Sequence, residues 1–272
     1  MPRPNQLYLF LPGTKSEPNK YDDLLSMAAY AGYKTIGLSY DNTANLEKTC
    51  ANSCGCYGPA RRDVVSGTNL SSAVSVQAGD SITYRLYLLL KELHARDPLA
   101  GWDDFLSRDN HNQQIEFTDI DWDAIVVSGH SQGAGHAMVI SKTEAVDGIL
   151  LFDGGDDDCM SGVRTYAQWH DWPDIPSPRR AFIHDRPGFS VPAAFIAMEF
   201  GVTSSDFVSL DTTWPTSFEV ATTSKAARPG CTAHGSMAYD GCMPDALGNE
   251  PATPADAYLF PFYVDWMCEV GS

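Results

Sequence analysis

Apolar runs and amphipathic stretches alternate along this chain almost from end to end. QLYLFL (6–11) is a short apolar run stopped by Pro12-Gly13, which predicts a strand and a tight turn. Residues 22–32 place apolar side chains at helical spacing, with acids in the first turn and Gly32 at the end, and predict a helix. KTIGLSY (34–40) predicts the next strand. Residues 41–78 are rich in Asn, Ser, Thr, Gly and Cys without a sustained period and read as one long loop. The strongest helical pattern follows at 81–96, closed by Asp97-Pro98. After a polar, aromatic-spotted stretch (97–121), strands are predicted at 123–130, 146–154, 179–185 and 217–225. Helices are predicted at 131–143, 191–201 and 254–270, the last despite Pro261. Strands this apolar, separated by helices, are buried on both faces. The expected architecture is a mainly parallel, doubly wound α/β sheet of about six strands with helices on both sides. With no repeat and no linker to divide it, 1–272 is expected to form one domain.

Composition narrows the partners. Lys and Arg number 18 against 35 Asp and Glu, a formal charge of −17. Nucleic acid and anionic membrane surfaces need clustered positive charge, so neither is expected. No apolar run approaches the roughly 18–20 residues of a membrane span. The seven cysteines stand at 50, 54, 56, 159, 231, 242 and 268. Three lie in one Gly/Asn/Ser-rich loop, and Cys231 and Cys242 bracket another. Loop-stapling disulfides in a secreted or periplasmic protein, its leader absent from this sequence, explain that placement. The expected pairing is Cys231 with Cys242, with one or two of Cys50, Cys54 and Cys56 bonded nearby and at least one thiol left over. A metal site in CANSCGC is not expected, because no second Cys or His pair follows at zinc-finger spacing.

The chemistry begins at Gly129-His130-Ser131-Gln132-Gly133, a G-x-S-x-G sequence. Its setting, an apolar strand before and a small-residue helix after, gives it meaning. A serine on such a strand-to-helix turn is held with Oγ exposed above the sheet, and the glycines relieve crowding around it. Ser131 is therefore the candidate nucleophile. The base should follow it in the chain, after the last strand. Of His170, His184 and His234, only His234 does so, in a loop that Cys231 and Cys242 would pin. Asp185, after the strand at 179–185, is the first-placed acid to orient His234. Asp153 and Asp156, after the preceding strand, are the alternatives, and Asp206 is a third position. The oxyanion hole is expected from the backbone N–H groups of Gln132 and Thr14, the latter in the turn after the first strand. Trp102, Phe105, Trp122, Tyr166, Trp169 and Trp172 are candidates to line a pocket or to pack in the core.

LPGT after the first strand, IGLSYDN, a Cys-containing loop, SITYRLYLLLKEL, GHSQGAGHA and a late Ala-His-Gly-Ser together resemble the α/β-hydrolase superfamily. More narrowly, they are similar to secreted bacterial-type serine hydrolases with a GHSQGxGHA elbow. The resemblance covers nearly the whole chain and implies a minimal α/β-hydrolase fold with a Ser-His-Asp triad. The expected activity is hydrolysis of carboxylic esters, small-molecule or polymeric, through an acyl-serine, with no metal or organic cofactor. Peptidase, thioesterase and acyltransferase reactions use the same groups, and a catalytically silent hydrolase fold used for binding is the alternative from another class. The departures from the family pattern, GGDDDC and HDRPG, both fall where the acid should be.

Overall fold

The computed structural model describes residues 5–50, 53–111, 114–160, 164–186, 196, 199–212 and 219–270. In chain order they form β1 (Leu7–Leu11), α1 (Asp22–Tyr30), β2 (Lys34–Gly37), α2 (Leu46–Cys50), α3 (Tyr57–Ser66) and α4 (Ile82–Arg96). Next come β3 (Leu106–His111), β4 (Gln114–Ile120), β5 (Ile125–His130), α5 (Gln132–Thr143), β6 (Gly148–Phe152), β7 (Asp158–Met160) and β8 (Arg164–Tyr166). Strands β9 (Arg179–His184), β10 (Val208–Ser209) and β11 (Val220–Thr223) precede a C-terminal helix, Phe260–Val270. Seven strands form one sheet in the order β10-β11-β9-β6-β5-β1-β2, every neighbouring pair parallel. The seventh strand beyond the six expected is β10, two residues long and too short to leave a periodic signature.

Alternation along the strands explains their unbroken apolar runs. Leu7, Leu9 and Leu11 face the core shared with α3, α4 and α5. Tyr8 and Phe10 face the other core, under α1 and the C-terminal helix. Both faces are covered, so no position in β1 needs a polar residue.

The stretch at 41–78 is not one loop. It holds α2 and α3, whose pattern is masked because α3 buries Arg61 and Asp63 beside Tyr57, Ala60, Val64 and Val65. A stretch read as polar, 97–121, contains the antiparallel hairpin β3–β4. Most of the helix expected at 191–201 lies outside the described residues. Pro261 is the second residue of the C-terminal helix, where its missing N–H costs nothing.

Three disulfides join Cys50 to Cys56, Cys54 to Cys159, and Cys231 to Cys242. The second was not anticipated, because its halves are 105 residues apart. Such bridges persist in an oxidising compartment. Among the described residues no helix is long and apolar enough to cross a membrane.

Candidate active site

Chain direction changes at β1: the path leaves it for β2 on one side and later enters β5 on the other. The crevice beyond the carboxyl ends of such a pair is the place where open α/β sheets gather their ligands. Here it holds Pro12-Gly13-Thr14 from β1 and Ser131 from β5.

Ser131 sits between β5 and α5 with φ 57° and ψ −124°, a strained conformation for any side chain but glycine. Its surroundings enforce it. Ser131 N–H donates to the Phe152 carbonyl at 3.0 Å. A Cβ on Gly129 would stand 2.3 Å from the backbone of Gly133, and one on Gly133 would stand 2.0 Å from the Leu11 carbonyl oxygen. Both glycines of the motif are thus dictated by backbone packed on backbone. The turn after β1 is equally close: a Cβ on Gly13 would lie 3.1 Å from Ser131 Cβ.

That turn is held from three sides. Tyr40 donates to the Pro12 carbonyl at 2.6 Å, and Asn42 Nδ2 donates to the carbonyls of Gly13 and Ser16 at 2.7 and 2.8 Å. Gly13 N–H donates to Tyr21 Oη at 3.1 Å. Neither Thr14 N–H nor Gln132 N–H has an acceptor among the described residues. Gln132 is fixed from behind, its Oε1 accepting from Leu46 N–H at 3.0 Å and its carbonyl from Arg61 Nη1 at 2.9 Å. Arg61 is itself buried in an ion pair with Asp157, which also accepts from Trp169 Nε1 at 2.8 Å.

His234 precedes a single turn of 3-10 helix, Gly235–Met237, in the loop closed by Cys231–Cys242. Its Nδ1 hydrogen-bonds Asp153 Oδ2, which also accepts from Arg186 Nη1 at 2.8 Å. Asp153 directly follows β6, has φ 46°, and takes His184 N–H on its other oxygen at 3.2 Å. Burial alone would push its carboxyl up. The hydrogen bonds and charges of His234 and Arg186 outweigh that and hold it below the usual carboxylate range. Gly154 lets this loop approach, since a Cβ there would stand 2.3 Å from the Ser131 carbonyl oxygen.

Asp153, and not Asp185, therefore meets His234. Asp185 is exposed, and its N–H donates to the Thr223 carbonyl at 2.7 Å, which keeps the end of β9 paired to β11 and its side chain outside. The carboxylate that His234 bonds among the described residues is Asp153 and not Asp156; burial, then the charges of Asp157 and Asp153, push the Asp156 carboxyl up to about 7. Asp206 is exposed and closes a capping box with Thr203. Phe105, Trp122 and Trp169 are core residues rather than pocket lining.

Arg186, Arg61, Tyr21 and His130 were not anticipated at the site. For Asp153 a signal existed: an acid ending an apolar strand, followed at once by two glycines.

No known family model matches the chain, and no curated protein matches it in sequence. Among solved structures it is similar to a protein described as a hydrolase of the α/β superfamily from Xanthomonas campestris pv. campestris. Identity there is 13% over 75% of this chain and 84% of that one, with a TM-score of 0.35. It is also similar to a ferulic acid esterase from Streptomyces cinnamoneus, at 15% identity over 75% of this chain and 49% of that one, TM-score 0.34. A sugar hydrolase from Lactococcus lactis is 12% identical over 96% and 87% of the two chains, TM-score 0.42.

Proposed function

We propose that this chain is an α/β-fold serine hydrolase that cleaves carboxylic esters, its triad being Ser131, His234 and Asp153. The observation that carries the reading is the bond from His234 Nδ1 to a buried, ionised Asp153, at the same sheet edge as a strained serine. Asp153 keeps the Nδ1 proton and so leaves Nε2 free to act as base. Ser131 Oγ attacks the ester carbonyl as its proton passes to His234. The oxyanion is held by the N–H groups of Thr14 and Gln132, which have no other acceptor among the described residues. Collapse expels the alcohol, which takes the proton back from His234. Water then repeats the sequence on the acyl-serine, releasing the acid and regenerating Ser131.

The intact His234–Asp153 pair favours this over a silent binding fold, which has no use for an oriented base. The three disulfides support an exported protein. A panel of p-nitrophenyl esters of rising chain length, with a fluorophosphonate probe, tests the reading. Ester turnover and labelling at Ser131 are expected, and Ser131→Ala should lose both, the activity by several orders of magnitude, with its fold unchanged. Labelling of another serine would sink the assignment.

A further inference from the structure

His130 is fully buried between the nucleophile's turn and the histidine loop, and both of its ring nitrogens are engaged. Nε2 lies 3.0 Å from the His234 carbonyl oxygen. A carbonyl only accepts, so Nε2 carries the proton and Nδ1 presents a lone pair. Tyr21 Oη, 3.2 Å from Nδ1, therefore donates to it. The same Tyr21 oxygen accepts from Gly13 N–H. The result is an unbroken chain of hydrogen bonds from the turn that carries Thr14, through Tyr21 and His130, to the backbone of His234. Aromatic packing reinforces it: the rings of His130 and His234 are 4.3 Å apart, and Tyr239 lies 5.1 Å from His130 and 5.0 Å from Tyr21.

A buried histidine does not require such partners. His136, six residues on and equally buried, has neither ring nitrogen bonded among the described residues and only sets its edge against Tyr40. His130 is used differently.

We propose that His130 is a positioning residue, forming with Tyr21 a polar strut that fixes the distance between the oxyanion turn and the His234 loop. Its kinetic consequence rests on the hydrolase reading; its structural consequence does not. Burial, with the charge of His234 beside it, pushes the His130 pKa down to about 3, so the ring stays neutral at working pH and its two hydrogen bonds fix the tautomer. A strut of this kind acts on turnover more than on substrate binding, because a misplaced oxyanion donor is felt at the transition state.

The test uses the whole oxidised chain and four variants: Tyr21→Phe, His130→Phe, the double variant, and His130→Gln. Tyr21→Phe keeps a ring against Phe10 and Tyr239 and removes only the oxygen. Both single substitutions to Phe should lower kcat by about ten- to a hundredfold with KM within about threefold. The double variant should fall no further than the worse single, because both cut one chain. His130→Gln, which offers a donor and an acceptor, should recover part of the loss. In Tyr21→Phe the backbone amides of both 13–16 and 233–237 should exchange hydrogen faster. Unchanged kcat, losses that multiply, or faster exchange at one end alone would overturn the strut. If the parent protein neither turns over esters nor takes the phosphonate probe, the hydrolase reading fails. The exchange pattern then decides the strut by itself: faster at both ends upholds it, and unchanged removes it.

Discussion

The two halves of the site are built by opposite means. Ser131 stands where β5, its turn and α5 follow one another in sequence, and backbone crowding against Gly129, Gly133 and Gly154 leaves it one conformation. His234 stands in irregular chain with one short 3-10 turn for secondary structure. Its place comes from distant contacts: the Asp153 bond, the Cys231–Cys242 bridge, and Asp240, which accepts from Asp22 and Asp23 N–H at the start of α1. A serine turn made by local sterics tolerates almost no change in shape, whereas a histidine held by remote polar contacts is sensitive to chemistry at several places.

The sharpest way to break that contrast is at the acid. Asp153→Asn should cost on the order of 10³–10⁴ in kcat, because an amide cannot hold the Nδ1 proton and the wrong tautomer wins. Asp185→Asn should stay within a fewfold of the parent. The reverse ranking, read by steady-state kinetics, would return the role to the end of β9. Next in size is Gly133→Ala, whose methyl would meet the Leu11 carbonyl. It should destabilise by about 1–3 kcal/mol or more and abolish turnover even where the fold survives, a change of shape without any loss of a reacting group. Denaturant unfolding and the ester assay together check it.

On the histidine side, Cys231→Ser with Cys242→Ser should cost roughly 2–3 kcal/mol on the chain-entropy model, lowering Tm by about 3–6 °C. Activity at low temperature should fall less than in Gly133→Ala, because Asp153 and the aromatic packing still hold the loop. Thiol titration of the denatured, unreduced parent should find one thiol, at Cys268, which lies outside the three bridges.

The smallest effect concerns Asp156. Its folded pKa is raised, so its stabilising contribution is complete below the unfolded value near 4 and is lost as pH rises through about 7. Asp156→Asn should therefore match the parent at pH 4 and exceed it at pH 8, by about 1–2 kcal/mol once water and relaxation soften the burial. Melting curves at the two pH values suffice. Equal Tm differences at both would show that the carboxyl does not titrate in this range.

The same contrast explains what was legible in the sequence. Ser131 and its glycines were readable because the forces on them come from neighbours in the chain, and β1, β5 and β6 because both their faces are buried. As the proposed base, His234 was readable from chain order alone. Its carboxylate partner was not, since Asp153 and Asp185 both follow apolar strands. Only the approach of Gly154 to Ser131, and the pairing of Asp185 N–H with Thr223, separates them. Helix α3 was hidden for a related reason. Arg61 and Asp63 look like surface charges until Asp157 takes the first, and Thr68 and the backbone of Leu70 and Ser71 take the second.

The bridge from Cys54 to Cys159 closes a covalent ring that contains β5 and β6, and with them both Ser131 and Asp153. His234 lies outside it, on the small ring closed by Cys231 and Cys242. A denatured chain with its bridges intact is therefore not a free polymer. Ser131 and Asp153 remain tethered on one loop, at an entropic cost to disorder of about 4–5 kcal/mol on the loop-closure model, and regaining the candidate site requires one small ring to dock on one large one. Once reduced, all three residues must find one another along an open chain, so the molecule's ability to recover from unfolding is written in its bonds before any contact re-forms.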